Sequence, residues 1–539
     1  MVSIKNFPNL KIFLYFPNYF FNFVRAYKFY QYDKLLVKDI VSEVNTVDKE
    51  FEKRIRDKRY LTKVMEPAEA AKFINPNMTL GVSGFTIAGY PKVIAGELAK
   101  RADNGEKLDL TVYSGASLGD EFDGELARKG ALKKRIPYQT NKDLRNAIND
   151  GKVGYHDVPL GLMPIWVKRN FLNHVDVAII EATAIDENGN IIPTTSVGTS
   201  NIYAECADKI IIEVNTYVPA SLEGVHDVYS PENPPYTKPI PITKVDDRIG
   251  TPYIKCDFDK VVAVVHSTIP DNGRKVVPSD AEFDAMAKNL VNFLKNEVEH
   301  KRLCNPLPPI QAGVGSVSNA VLECLKDSDF KDLTVYSEVL QNSIFDLIEA
   351  GKVKCASGTS LTISWDKIDE FFKNFEKYKD KIVLRPQEIS NHPEVIRRLG
   401  IIAINTVIEA DIYGNTNSSY INGCRLMNGV GGSGDYCENA GLSIFITKST
   451  AKNGEISCIV PLVSHVDHTI HEIHALITEQ GVADLRGLDP IDRAKTIIEN
   501  CAHPKFKQEL YDYLDKAINT CEYKEMPVDI ENAYKFPNI

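Results

Sequence analysis

The fold class that this 539-residue sequence predicts is α/β, with two tandem domains of related fold, each on an open and mostly parallel sheet. Three observations carry the prediction. The six residues DLTVYS occur twice, at 109–114 and at 332–337. In each copy a glycine-rich turn and a helix-like run precede them: GVSGFTIAGYP then KVIAGELAKRA (81–102) in the first half, AGVGSVSNAVLECLKD (312–327) in the second. Further on, VAIIEATAIDENGNI (177–191) resembles IAINTVIEADIYGNT (402–416), and both reach an Asp-x-x-Gly-Asn turn suited to positive φ. From Ser114 to Asp186 is 72 residues, and from Ser337 to Asp411 it is 74. Short apolar runs alternating with amphipathic stretches argue for βαβ units.

Taken in order, residues 1–38 form an N-terminal extension. Its first 32 residues hold Lys5, Lys11, Arg25 and Lys28 and no acid, as organellar presequences do. They are also rich in Phe, Tyr and Asn and are interrupted by Pro8 and Pro17, as a lineage-specific extension would be. Both readings stand, so the address is a mitochondrion or related organelle, or the cytoplasm. Residues 39–74 look helical and charged, and open a first domain over 39–270. The junction falls near STIPDNGRKVVPSD (267–280), ahead of the helix-like AEFDAMAKNLVNFLKNEVEHK. A second domain covers 271–505, and 506–539 is a terminal helix and tail. A duplicated α/β pair places its site between the halves, at the carboxyl ends of the strands.

Composition narrows the function. A net charge of −10 disfavours nucleic acid, which needs a basic face, but leaves room for a small anionic ligand held by local amides and lysines. Ten cysteines without a C-x-x-C pair read as reduced thiols, neither a disulfide framework nor a zinc ribbon. No apolar run reaches the ~20 residues of a membrane span.

The repeats differ where the first copy of DLTVYS runs into Gly115 and the second into Glu338. A carboxylate at the end of a strand and the start of the helix-like VLQNSIFDLIEAGK is expected to be kept ionised by helix amides, as a nucleophile or as a plain helix-start acid. GVGSV (313–317) is a glycine turn before a helix, able to present N–H groups to an anion. It lacks the third glycine of GxGxxG and the Lys-Ser/Thr of a P-loop. NGVGGSGD (428–435), with four glycines, suggests close approach of backbone to a ligand. SHVDHTIHEIH (464–474) places histidines at 465, 468, 471 and 474. The zincin HExxH is absent, and structural hydrogen bonding is favoured over a metal site. No GxSxG elbow is present for a serine hydrolase.

The segments GVSGFTIAGYPK, VYSGASLGDEFDGELA, GVGSVSNAVLECL, LTVYSEVLQNSIFDLIEAGK, ISNHPEVIRRLG, MNGVGGSGDY and VPLVSHVDHTIHEIHALITEQGVADLRGL together resemble the acetyl-CoA hydrolase/transferase family, most nearly its succinyl-CoA:acetate CoA-transferases and fungal acetyl-CoA hydrolases. The resemblance runs from about residue 60 to 505. It implies two CoA-transferase domains, Glu338 as nucleophile, and an oxyanion hole from the Val314 amide and Asn391. It implies coenzyme A contacts at Gly313, Val314, Gly315, Ser316, Val317, Asn428, Gly432 and Lys452. Coenzyme A is then a substrate, with no tightly bound cofactor and no metal. The partners are acyl-CoA and small carboxylates, without nucleic acid or membrane, in a homodimer. The expected reaction moves coenzyme A between a short acyl-CoA (succinyl or acetyl) and acetate or succinate, through a glutamyl thioester. The alternative is hydrolysis of acetyl-CoA to acetate and coenzyme A.

Overall fold

Apolar runs bounded by glycine and asparagine turns become two sheets in the computed structural model, which describes residues 49–275, 280–313 and 315–536. The expectations for residues 1–38 lie outside the described residues. Arg54–Ile539 form one compact unit that contains both sheets and the cleft between them.

The first sheet consists of β1 (Thr79–Val82), β2 (Leu110–Tyr113), β3 (Leu132–Ile136), β4 (Gly154–Tyr155), β5 (Val177–Ile185), β6 (Ile191–Pro193), β7 (Lys209–Asn215) and β8 (Val261–Ser267). Its order is β4-β3-β2-β1-β5-β7-β8, all parallel, with β6 folded back antiparallel on β5. The second consists of β9 (Ile310–Ala312), β10 (Leu333–Tyr336), β11 (Val353–Gly358), β12 (Ile382–Leu384), β13 (Ile402–Thr406), β14 (Leu442–Ile446), β15 (Ala475–Ile477) and β16 (Val482–Asp484). Its order is β12-β11-β10-β9-β13-β14-β15-β16, parallel except for β16. Without β6 and β16 the two orders are the same.

The repeat persists at single residues. Both copies of DLTVYS open on an aspartate at positive φ, Asp109 at 49° and Asp332 at 59°. The serine that follows each strand donates its N–H to the neighbouring strand, Ser114 to Ile136 O and Ser337 to Ser357 O. In the later turns Asp186 Oδ1 accepts the N–H groups of Asn188 and Asn190, while Asp411 Oδ1 accepts those of Tyr413, Gly414 and Asn415.

Strands covered on both faces read as continuous apolar runs, and all nine residues of β5 are buried. The helix Val93–Asp103 covers the first sheet with Ile94, Ala95, Leu98 and Ala99. The helix expected from residue 281 spans Ala281–Glu299, capped by Asp280, and buries Met286, Ala287, Leu290, Val291 and Leu294 at helical spacing. The helical reading of 39–74, of which 39–48 lie outside the described residues, holds as short pieces: 49–54 are helical, and short helices follow at Lys58–Lys63, Pro67–Ala70 and Ala71–Phe73. Pro67 holds the preceding Glu66 extended, which stops a continuous helix. The terminal helix starts slightly earlier than expected, at Pro504, and runs to Thr520.

The halves are joined by main-chain bonds that run from one to the other. Val197 N–H meets Thr359 O at 3.0 Å, Leu361 N–H meets Thr195 O at 2.7 Å, and Gln387 N–H meets Gly198 O at 3.0 Å. Beside them Arg385 pairs with Asp227, both side chains at most 1% exposed. Arg385 Nε also donates to Ser357 Oγ at 2.8 Å. This clasp turns the carboxyl ends of both sheets towards a shared cleft. Replacing Arg385 by Met leaves the Asp227 carboxylate buried without its guanidinium. The expected cost is about 3–5 kcal/mol of unfolding free energy in urea titration; a loss below about 1 kcal/mol contradicts the clasp.

Candidate functional site

β10 ends at Tyr336, and the chain turns at Ser337 and Glu338 into the cleft. The carbonyl of Glu338 is tied down by the N–H groups of Thr359 (2.7 Å) and Ser360 (3.1 Å). The next residues, Val339–Gln341, form a short strand, and the helix starts only at Asn342. The cleft, about 520 Å³, is lined from the first half by Phe85, Thr86, Ile87, Ala116, Tyr138 and Leu160. From the second half it is lined by Gly313, Gly315, Glu338, Gln341 and the loop 428–433.

Asn391 Nδ2 donates to Glu338 Oε1 at 2.6 Å and to Asp435 Oδ2 at 2.9 Å. Its Oδ1 accepts from Ser390 Oγ at 2.9 Å. Both hydrogens of one amide are thus spent on two carboxyl groups. Asp435 Oδ2 also accepts the Gly161 N–H, at 2.9 Å, from the first half. Burial pushes the Glu338 carboxyl up to about 7; the Asn391 bond pulls it down and the charge of Asp435 pushes it further up. Burial likewise pushes Asp435 up to about 7, against the Gly161 and Asn391 bonds. The sequence expectation that helix amides hold Glu338 low is therefore corrected. The helix begins too late to reach the carboxyl, and desolvation wins.

Gly432 packs directly on this carboxyl: a Cβ there would lie 1.6 Å from Glu338 Oε1. The loop before it is gripped from the first half by Asp157, whose Oδ2 accepts the Val430 N–H at 2.7 Å. A Cβ on Gly429 would fall 2.4 Å from both Asp157 Oδ1 and the Tyr155 hydroxyl. Burial raises Asp157 to about 6, against the Val430 and Tyr155 bonds.

The first half also supplies the loop Phe85–Ala88, in which Thr86 and Ile87 adopt φ of 49° and 62°. Positive φ in β-branched residues costs on the order of 1–3 kcal/mol each. Bonds hold the loop there: Ile87 N–H to Ser117 O at 3.0 Å and Thr362 Oγ1 to Thr86 O at 3.1 Å. Gly115, at the position equivalent to Glu338, has no room for a side chain. A Cβ would lie 2.7 Å from both Gln387 Oε1 and Gly84 O. Arg274 and Lys275 line the mouth, and Arg145 nearby is held below its ordinary pKa by burial and by Arg274 and Arg425. A locally cationic rim on a chain of net charge −10 suits an anionic ligand.

Of the residues singled out in sequence, the structure brings together Glu338, Asn391, Gly313, Gly315, Asn428 and Gly432. Gly315, at φ 128°, precedes the helix Ser316–Asp327, which begins with the Ser316 backbone and carries half-buried Val317 behind the turn. Val314 lies outside the described residues. Asn428 lines the cleft and bonds Ser418 O and Gly429 O, each at 3.0 Å. Lys452 sits exposed in a hairpin turn at φ 48°, apart from the cleft lining. Asp435, Asp157 and Gly161 were missed. Asp435 closes the glycine loop already noticed, which is a usable signal, whereas Asp157 and Gly161 carry none in sequence. The four histidines disperse: His465 beside Asp467, His471 exposed, His474 accepting from Ser443 N–H, and His468 buried.

Two family models match the chain: the acetyl-CoA hydrolase/transferase N-terminal domain over 48–266 and the corresponding C-terminal domain over 368–514. A succinyl-CoA:acetate CoA-transferase of Clostridium kluyveri is 48% identical, over 86% of this chain and 87% of that protein. An acetyl-CoA hydrolase of Candida glabrata is 43% identical, over 91% and 96%. Among solved structures, RipA from Yersinia pestis shares the fold at a TM-score of 0.67 and 24% identity, covering 85% of this chain and 98% of its own.

The shared amide predicts a pH profile. In the nucleophile role expected of Glu338 from the family resemblance, a carboxyl near 7 is inactive when protonated, so kcat/KM is expected to fall about tenfold per unit on the acid side of pH about 7. Asp435→Asn removes the neighbouring negative charge, favours ionised Glu338 and moves that acid limb to lower pH. An unmoved limb in acyl-CoA turnover assays contradicts the coupling.

Proposed function

Because the chain belongs to the acetyl-CoA hydrolase/transferase family, we propose that this enzyme moves coenzyme A between a short acyl-CoA and a carboxylate, with Glu338 as the covalent nucleophile. The observation that supports it most is the Glu338 carboxyl at the cleft, desolvated and held at 2.6 Å by Asn391. The names of the relatives support acetate and succinate as carboxylates and acetyl-CoA and succinyl-CoA as donors.

A Glu338 oxygen attacks the thioester carbonyl carbon, and the C–S bond breaks to give a mixed acyl-glutamyl anhydride and the coenzyme A thiolate. The thiolate attacks the glutamyl carbonyl carbon, and the C–O bond breaks, releasing the acyl group as its carboxylate. Glu338 is left as a thioester of coenzyme A. An incoming carboxylate reverses both steps and leaves as the new acyl-CoA. No net proton is consumed, and the thioester energy is conserved. Asn391 Nδ2–H and, by the family resemblance, the Val314 amide are assigned to the oxyanion, and loss of one such donor is expected to cost about 10²–10³ in rate. The turn 313–317, Asn428, Gly432 and Lys452 are assigned to coenzyme A, whose remote binding energy presses the thioester onto Glu338. Leu160, Phe85, Ala116 and Val339 form an apolar wall that limits water at the anhydride.

The homodimer rests on resemblance alone, and the organellar or cytosolic address on the composition of residues 1–38. Light scattering of the full chain and imaging of the tagged protein test them. Among the described residues no helix is long and apolar enough to cross a membrane.

Acyl-CoA donors are incubated with and without acetate or succinate while free thiol and acyl-CoA products are followed. Carboxylate-dependent exchange faster than thiol release is expected; thiol release that ignores the acceptor assigns the hydrolase reading instead. Glu338→Gln abolishes exchange while coenzyme A binding by calorimetry is retained, and near-normal turnover in this variant contradicts the assignment.

A further inference from the structure

The histidine-rich segment is unused by the chemistry above, yet it buries His468, at 1% exposure, against the back of the helix Ser433–Cys437. That helix continues the glycine loop: Gly432 precedes it, Asp435 lies within it, and Tyr436 holds Ser390 O beside Asn391. His468 is fixed from its own side by main-chain bonds with Thr416 and by packing on Phe445, ring centroids 5.0 Å apart.

His468 Nε2 lies 2.8 Å from Ser433 Oγ. The direction of this bond is set by the ring tautomer. We assign the one hydrogen of the Ser433 hydroxyl to Val430 O, 2.9 Å away, which leaves the hydroxyl to accept from His468 Nε2–H in the matching tautomer. Nδ1 of the neutral ring is then an acceptor with the Cys437 Sγ 3.5 Å away, a thiol that also has Gly434 O within 3.6 Å. Burial keeps the imidazole below its ordinary pKa and the thiol above its own, which are the neutral states this chain requires.

Cys437, His468 and Glu472 place three ligand atoms within 4.8 Å of one another, which makes a metal the rival occupant. Glu472 is already engaged, however. Its Oε2 accepts Thr469 N–H at 2.9 Å and its Oε1 accepts Thr469 Oγ1 at 3.3 Å. With both ring nitrogens of His468 also partnered, hydrogen bonds account for all three side chains.

We propose that His468 is a positioning residue: bonded to Ser433, whose hydroxyl also reaches Val430 O, it locks the backbone of 430–433 so that Gly432 stays packed on the Glu338 carboxyl. The catalytic consequence rests on the reading of Glu338 as nucleophile. A displaced loop opens space beside the carboxyl, and a misplacement of about 1 Å at a reacting group costs about 10²-fold in rate.

The test compares His468→Phe, which keeps an aromatic ring without nitrogens, His468→Gln, which keeps a donor, and Ser433→Ala. In exchange assays His468→Phe and Ser433→Ala lower kcat about 10²-fold with KM for acyl-CoA nearly unchanged, and His468→Gln recovers most of the loss. The double variant His468→Phe/Ser433→Ala is no worse than the poorer single one, because one chain is broken once. Amide hydrogen exchange across 428–433 quickens about tenfold in His468→Phe but not in His468→Gln. Equal impairment of Phe and Gln variants, additive losses, unchanged loop exchange, or stoichiometric zinc in the purified wild type overturns the proposal. If the wild type performs no exchange, the reading of Glu338 fails, and the hydrogen-exchange comparison still decides the role of His468.

Discussion

One side-chain amide, that of Asn391, stands between two carboxyl groups, Asp435 buried and Glu338 half-buried in the wall of the cleft. Each of its hydrogens is committed, at 2.6 Å to Glu338 and at 2.9 Å to Asp435. Two carboxylates so close repel, and each is pushed up to about 7 chiefly by burial. A group poised there is partly ionised at neutral pH and poorly solvated when it is, which is what a carboxylate nucleophile needs. The donor that steadies Glu338 in the free protein is also suitably sited for an oxyanion formed on that carboxyl. Asp435 completes the arrangement by orienting the amide from behind, itself anchored by the Gly161 N–H.

The rest of the molecule reads as support for that contact. The clasp of Asp227 and Arg385, with the main-chain bonds around it, brings the carboxyl ends of two equivalent sheets together. The repeat then diverges by position. Where the second half carries Glu338, the first has Gly115, fitted against Gln387 and the Gly84 carbonyl where no Cβ fits. The first half gives instead a strained loop at Thr86–Ile87, the Asp157 grip on Val430, and the Gly161 amide. One copy holds the acid and the other shapes and steadies its surroundings.

The architecture was legible because repeats are local patterns. The paired DLTVYS strands and the paired Asp-x-x-Gly-Asn turns recur with the same strand order and the same aspartate at positive φ. Glu338, Asn391 and Gly432 were also legible, through family resemblance, and they converge in the cleft. What sequence hid is what folding creates between distant segments. Asp157 has an unremarkable local context, and only its 2.7 Å bond to Val430, far along the chain, gives it a role. The protonation of Glu338 was misjudged because a strand-to-helix junction suggested nearby amides, while the chain inserts Val339–Gln341 as strand and sets the half-buried carboxyl among poorly solvating neighbours. The helical reading of 39–74 holds in short pieces, and at Pro67 the extended Glu66 before it separates one piece from the next.

The central claim is that the sulfur of coenzyme A becomes bonded to the side chain of residue 338. The most direct measurement is peptide mass mapping after the protein is mixed with acyl-CoA and reduced with borohydride, which converts a glutamyl thioester to an alcohol. The account predicts a mass change confined to the peptide containing Glu338 and dependent on acyl-CoA. Modification at Asp435 instead, or active turnover with Glu338 unmodified under those conditions, contradicts it.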